Sequence, residues 1–214
     1  MKTSAVTNFR IVLTKLKEFG LLLETDAKLP SVSGLVAGEP VRGSWWSHPR
    51  SHEIFSVLQQ AVDHKDVLVT KLVSGKVTFV HRQLWPEVIS IGSAREDWQM
   101  VGLSPPAEIL LEQSDQIGSL ATNEIKWPRP FKTLKPGDAV RELEKRLLIH
   151  SEEFHSDSGA HAKLVESWEH WSRRIGLKDE RMKVENAKRN LNERIEALNG
   201  QFGASAKLPW PQKT

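Results

Sequence analysis

The chain has 214 residues, of which 39% are hydrophobic and 27% are charged, and its formal net charge is +3. These values are ordinary for a globular protein with one large or two small domains. There is no cysteine, which excludes disulfides, thiolate-ligated zinc and a cysteine nucleophile. No stretch approaches the roughly 18 apolar residues of a membrane helix. We therefore expect a cytoplasmic protein without a membrane partner.

The first of three predicted zones, residues 1–99, begins with helices. Apolar residues at helical spacing predict an amphipathic helix over 7–23. Pro49 stands where a helix starts, and a second helix is predicted over 50–63. Trp85, next to a proline, is predicted to lie in the core.

A β-hairpin is predicted around the dipeptide Ser74-Gly75, with strands over 67–73 and 76–81. A two-residue turn determines which residues face each other: Leu72 and Val77, Thr70 and Phe79, Leu68 and His81. That register places four apolar side chains on one face, which must be covered: Leu68, Leu72, Val77 and Phe79.

The second zone, residues 100–175, is predicted to contain three helices and another hairpin. Ser104 and the prolines after it favour the start of the first helix, and Gly118 favours its end. A short helix is predicted over 119–125, and Asp138 caps a third helix beyond a proline-rich loop. The hairpin strands and the turn between them follow at 147–155, 160–168 and 156–159.

Three helices followed by a β-hairpin resemble the winged-helix superfamily over residues 104–168. The hairpin at 67–81 also follows a helix, so residues 1–99 resemble a second unit of this kind. The expected fold class is α+β, with one or two winged-helix-like units and a long C-terminal helix. The resemblance implies DNA binding, by a transcriptional regulator or a factor associated with DNA repair.

Winged-helix proteins place their third helix in the major groove, which implies that the helix beginning at Asp138 would contact DNA. Residues 126–146 contain seven basic and three acidic side chains, an excess that favours phosphate contacts. The candidate DNA-binding residues are Lys126, Arg129, Lys132, Lys135, Arg141, Lys145 and Arg146. However, Glu142 and Glu144 lie in the same helix, and the hairpin turn carries Asp157 but no cation. The alternative is a protein–protein interaction module without nucleic-acid binding.

Trp45 and Trp46 are candidate base-stacking residues, with Arg42 or Arg50 on a phosphate. Adjacent tryptophans also commonly anchor a loop to the core. A weaker alternative function is that of a DNA glycosylase, since some base-excision glycosylases consist of tandem winged helices. A cleft holding both tryptophans and a carboxylate would be its first sign. The sequence contains no phosphate-binding loop and no nucleophile elbow, which argues against an enzyme.

The histidines do not form a recognised metal motif. His48 and His52 are four residues apart, but the order HExxH is absent. His150 and Glu152 would share one face of a strand. We expect neither a metal site nor a cofactor.

The last zone, residues 176–214, is predicted to form a helix over 178–199, ended by Gly200, and an exposed tail from Ala204. Apolar residues at seven-residue spacing line this helix: Val184, Leu191 and Leu198. The stripe either pairs with a second copy, giving a homodimer through 178–199, or packs on the protein's own body.

Overall fold

The computed structural model describes residues 2–131, 134–155, 161–177 and 181–211. These residues form a mixed α+β fold with two three-stranded antiparallel sheets and a long C-terminal helix, as the sequence predicts. The chain divides into two compact units: a first unit of residues 1–85 and 188–209, and a second of residues 86–187 and 210–214. These limits differ from those of the three zones expected from the sequence. Within the described ranges, no helix combines the length and apolar character needed to cross a membrane.

Up to residue 85 the first unit contains three α-helices and a sheet of strand order β1-β3-β2, and its second range, 188–209, adds most of the C-terminal helix. Its elements in chain order are α1 (Lys2–Phe19), β1 (Leu21–Leu23), α2 (Val32–Ala37), α3 (Ser51–Val62), β2 (Val67–Lys71) and β3 (Val77–His81). The prediction that the first helix continues to Leu23 is wrong. Gly20 ends the helix with a φ of 79°, and the next three residues pair with β3 as a buried strand.

The first hairpin has the predicted turn but a different register. Ser74 and Gly75 have φ values of 53° and 67°, and the N–H of Lys76 donates to the carbonyl of Val73 at 3.0 Å. The strands nevertheless pair Lys71 with Val77, and Leu68 with Val80, one residue away from the prediction. Leu72 is the extra residue on its strand, as in a β-bulge. The apolar face predicted from the two-residue turn is therefore wrong.

The second unit has its own sheet, with strand order β4-β6-β5. Its elements are α4 (Trp85–Gly92), α5 (Asp97–Met100), α6 (Pro105–Ile117), β4 (Ser119–Ala121), α7 (Gly137–Lys145), β5 (His150–His155), β6 (His161–Glu166) and α8 (Trp168–Arg174). The predicted short helix over 119–125 is wrong, because Ser119–Ala121 pairs with β6 as a strand. The predicted turn at 156–159 lies outside the described residues.

Helix α9 (Val184–Phe202) runs past Gly200 and is followed by Gly203, whose φ is 61°. Residue 178, the predicted start, lies outside the described residues, but residues 181–183 are described and are not helical, so the prediction that the helix includes them is wrong. Four apolar side chains of the helix are buried within this single chain: Ala187, Leu191, Ile195 and Leu198. The apolar stripe thus packs on the protein's own body, the second of the two alternatives above.

The tail after α9 is not exposed as predicted. Leu208 and Trp210 are 6% and 3% exposed. The N–H of Ser74 donates to the carbonyl of Lys207 at 2.7 Å, which holds the tail against the first hairpin. Trp85 is 5% exposed and lies in the core as predicted.

Candidate nucleic-acid interface

Helix α7 presents its cations to solvent because its apolar side chains face inward. Val140 and Leu143 are buried in a core that includes Leu110 of α6 and Val165 of β6. Residues on the opposite side of an amphipathic helix face water. Arg141 and Lys145 are accordingly exposed.

The two acidic residues that argued against a basic helix are both held by groups of the same unit. Glu144 is 5% exposed; it accepts a hydrogen bond from Ser151 Oγ at 2.5 Å and forms an ion pair with Lys163. Glu142 accepts hydrogen bonds from the backbone N–H of Ser104 at 3.1 Å and from its Oγ at 2.6 Å. Glu144 is thus balanced by Lys163, and Glu142 lies 3.5 Å from Arg146, so each acid has a cation beside it other than Arg141 and Lys145.

Arg146, a predicted phosphate contact, is instead a structural residue. Its Nη1 donates to the carbonyls of Gln99 at 3.1 Å and Val101 at 2.8 Å, and its Nη2 donates to that of Gly102 at 3.0 Å. It also lies 3.5 Å from Glu142. The guanidinium is thus bonded to the end of α5 and to the loop after it, which makes it less available to a phosphate than the exposed cations of α7.

The remaining candidates form what we call the basic segment, all of them exposed: Lys126, Arg129, Lys135, Arg141 and Lys145. Lys132 lies outside the described residues. Among the described residues of 126–146, Asp138 is the one exposed acid, and its carboxylate lies 3.0 Å from Arg141 Nη1. Both side chains of that pair are largely exposed, at 92% and 60%, so water screens their attraction. Arg141 therefore remains accessible to another anion.

The two candidate stacking tryptophans have different environments. Trp45 is 6% exposed, and its Nε1 donates to Glu24 Oε1 at 2.5 Å. Trp46 is 65% exposed and stacks on Trp45, with ring centroids 4.0 Å apart and planes 24° apart. Trp45 thus anchors the loop, and only Trp46 can meet a ligand with its ring. The carboxylate named as a first sign of a glycosylase is present as Glu24, but it is bonded to the buried ring.

Phe55 of α3 joins this pair, although the sequence did not single it out. Its ring is 43% exposed and lies 5.7 Å from that of Trp46 and 6.4 Å from that of Trp45. We call these three rings the aromatic platform. Only the folded chain brings Phe55 beside the tryptophans, because a 3₁₀ turn over Trp45–Ser47 leads into α3.

The second unit also contains a buried charged network. Arg174 donates from Nε and Nη2 to both carboxylate oxygens of Glu166, which is fully buried, and from Nη2 to Glu152 at 2.8 Å. Burial raises the pKa of Glu166, but the neighbouring His150 and Arg174 outweigh it, so that the pKa lies below its ordinary value. His170 Nε2 is a further neighbour of Glu166, at 3.7 Å.

Three residues of this network could supply metal ligands: the ligand atoms of His150, Glu152 and Glu166 lie within 4.8 Å of one another. However, Arg174 already bonds to both carboxylates, and its positive charge opposes a cation in the same place. The arrangement is better suited to structural support, since His150 also packs between Trp168 and Trp171 at centroid distances of 5.7 and 4.9 Å.

Comparison with known proteins gives no indication of function. No protein-family model, no curated protein and no solved structure matches it. The geometry of the basic segment and the aromatic platform therefore carries the functional interpretation.

Proposed function

We propose that this protein binds DNA and that the basic segment contacts the phosphate backbone of a duplex. The observation that carries the proposal is the distribution of charge around α7. Its acids Glu142 and Glu144 are bound internally, whereas Arg141 and Lys145 are exposed. Exposed cations release counterions when they meet phosphates, which is the main source of non-specific affinity.

The order of elements supports this proposal. In the first unit the order is helix, strand, helix, helix and two strands, with the first strand beside the last. In the second unit the run from α6 to β6 is helix, strand, helix and two strands, and its sheet has the corresponding order, with β4 beside β6 and β6 beside β5. The first unit agrees with the winged-helix resemblance, whose members include transcriptional regulators and repair factors, whereas the run from α6 to β6 has a strand, Ser119–Ala121, where the resemblance expects the second of three helices. A fold alone does not establish a function, so the proposal depends on the charges.

The test is binding of a labelled DNA duplex of about 20 base pairs, measured by fluorescence anisotropy over a range of salt concentrations. The double variant Arg141→Ala with Lys145→Ala removes two exposed cations of the basic segment. We expect roughly tenfold weaker binding near 0.1 M salt and a salt slope reduced by about 2. Arg146 is left intact because its loss would disturb the fold.

A matched double variant, Lys17→Ala with Lys65→Ala, removes two exposed cations of the first unit and equals the test variant in net charge. We expect its affinity to stay within about threefold of the unmodified protein. If both double variants lose the same amount of duplex affinity, the affinity responds to net charge alone. That result, or no measurable duplex binding, would refute the proposal and favour the protein-interaction module.

A further inference from the structure

We infer that the aromatic platform is a stacking site for an unpaired base of single-stranded nucleic acid. This inference rests on the proposed nucleic-acid binding and deepens it, because it adds a second ligand form and a second surface. The platform lies wholly within the first unit, whereas the basic segment belongs to the second.

The platform is held in place before any ligand arrives. The indole N–H of Trp45 is bound to Glu24, and the buried Trp45 ring supports Trp46 from below at 4.0 Å. Trp46 itself is 65% exposed, so much of its ring surface remains open to solvent although one side is stacked on Trp45. A supported ring loses little freedom on binding, and every nucleobase offers a π-face of matching shape.

The charge of the first unit favours an anionic ligand. Its residue ranges contain fifteen Lys and Arg against nine Asp and Glu. Those of the second unit contain fifteen against eighteen, so the duplex contact proposed there depends on the local excess of cations in the basic segment and not on the charge of the unit. Arg42 is exposed three residues before Trp45. Of the acids near the platform, Glu24 is bonded to the indole N–H of Trp45 and Glu53 is paired with Arg50 at 2.6 Å, whereas Glu39, 3.4 Å from His48, has a side chain that is 71% exposed.

The surroundings of the exposed rings favour a nucleobase over an apolar protein segment. His52 and Gln59, about one helical turn before and after Phe55 on the same helix, are exposed polar side chains, and the next exposed apolar residue of that helix is Val62, two turns away. A protein that docks on aromatic anchors usually needs a larger dry apolar surface around them. A stacked base needs one open ring face, with polar groups and cations at its margin for the backbone.

The experiment measures binding of a fluorescein-labelled oligothymidine of about 12 nucleotides, followed by anisotropy. We expect Trp46→Ala to weaken this binding by about 5- to 100-fold, and Trp46→Phe to retain most of it because a ring face remains. Val101→Ala is the matched control, since Val101 is an apolar residue of the second unit that is 71% exposed. It should leave the affinity unchanged, and a thermal melt confirms that each variant is folded.

The same variants are tested against the duplex, so that the two proposals can fail separately. Loss of oligothymidine binding in Trp46→Ala with unchanged duplex binding supports the stacking site, whether or not the basic-segment variant alters duplex affinity. An oligothymidine affinity that is the same in Trp46→Ala and in the unmodified protein overturns the inference. If the unmodified protein does not bind oligothymidine, the inference is also overturned, and a protein becomes the candidate partner of the aromatic platform.

Discussion

Gly92 lies where no side chain fits, which allows a sharp test of the second unit's packing. A Cβ built on Gly92 would lie 2.5 Å from Cδ1 and 2.8 Å from Cε2 of Trp168. The indole cannot easily move aside, because it is 2% exposed and its Nε1 donates to the carbonyl of Leu147 at 2.7 Å. Gly92→Ala therefore forces either the indole or α4 to shift.

The expected cost has two parts. Overpacking a filled core costs about 1–3 kcal/mol, and a weakened buried hydrogen bond adds about 0.5–1.5 kcal/mol. We expect Gly92→Ala to lower the free energy of unfolding by about 2–4 kcal/mol, measured by urea denaturation with far-UV circular dichroism.

Gly200 provides the matched control. It lies inside α9, and a Cβ built there meets no atom within 4 Å. Gly200→Ala should therefore stabilise the protein by up to about 1 kcal/mol, since alanine is the better helix former. Changes of opposite sign in the free energy of unfolding for Gly92→Ala and Gly200→Ala would confirm that Gly92 is required by packing against Trp168. Equal effects at the two positions, or a neutral Gly92→Ala, would refute it.

Two further predictions concern buried polar contacts. Glu166→Gln should lower the free energy of unfolding by about 1–3 kcal/mol at neutral pH, since Arg174 loses a charged acceptor. Because the pKa of Glu166 is lowered in the folded state, the charged carboxylate stabilises the protein at neutral pH, and this stabilisation is lost as the pH falls through the folded pKa. Urea denaturation between pH 7 and 3 should therefore show the difference in unfolding free energy between the unmodified protein and Glu166→Gln become smaller at low pH. A difference that stays constant over this range would contradict the prediction. Trp45→Phe should cost about 1–2 kcal/mol in thermal or urea unfolding because it removes the donor to Glu24. Trp46→Phe, at an exposed ring, should change stability by less than about 0.5 kcal/mol, and equal effects at the two tryptophans would contradict the assignment of Trp45 as the anchor.

The sequence correctly predicted those features that are determined by residues close together in the chain. Gly118 ends α6 as expected, and the Ser74-Gly75 turn forms with both residues at positive φ. The strand register failed because a single extra residue, Leu72, shifts the pairing by one, and a bulge leaves no mark in the alternation of apolar residues.

Elements whose partners are distant in sequence were not predictable in the same way. Ser119–Ala121 is too short for its own residues to decide between helix and strand; its pairing with β6 decides it. The buried tail is a similar case, since Lys207 finds its hydrogen-bond partner at Ser74.

The candidate site shows the same limit. The sequence identifies the cations of α7, but it does not reveal that Glu142 binds Ser104 or that Arg146 binds carbonyls about 45 residues earlier. Likewise, two adjacent tryptophans look equivalent in sequence. The carboxylate of Glu24 determines which of them is buried.

Helix α9 runs across the limit between the units, because residues up to 187 belong to the second unit and residues from 188 to the first. Neither unit is therefore a contiguous stretch that recombination could excise and transplant intact. A gene fragment ending at residue 85 would lack Leu191, Ile195 and Leu198, whose side chains are buried in the folded chain. Recombination of contiguous gene segments would therefore keep either unit intact only if both units were transferred together.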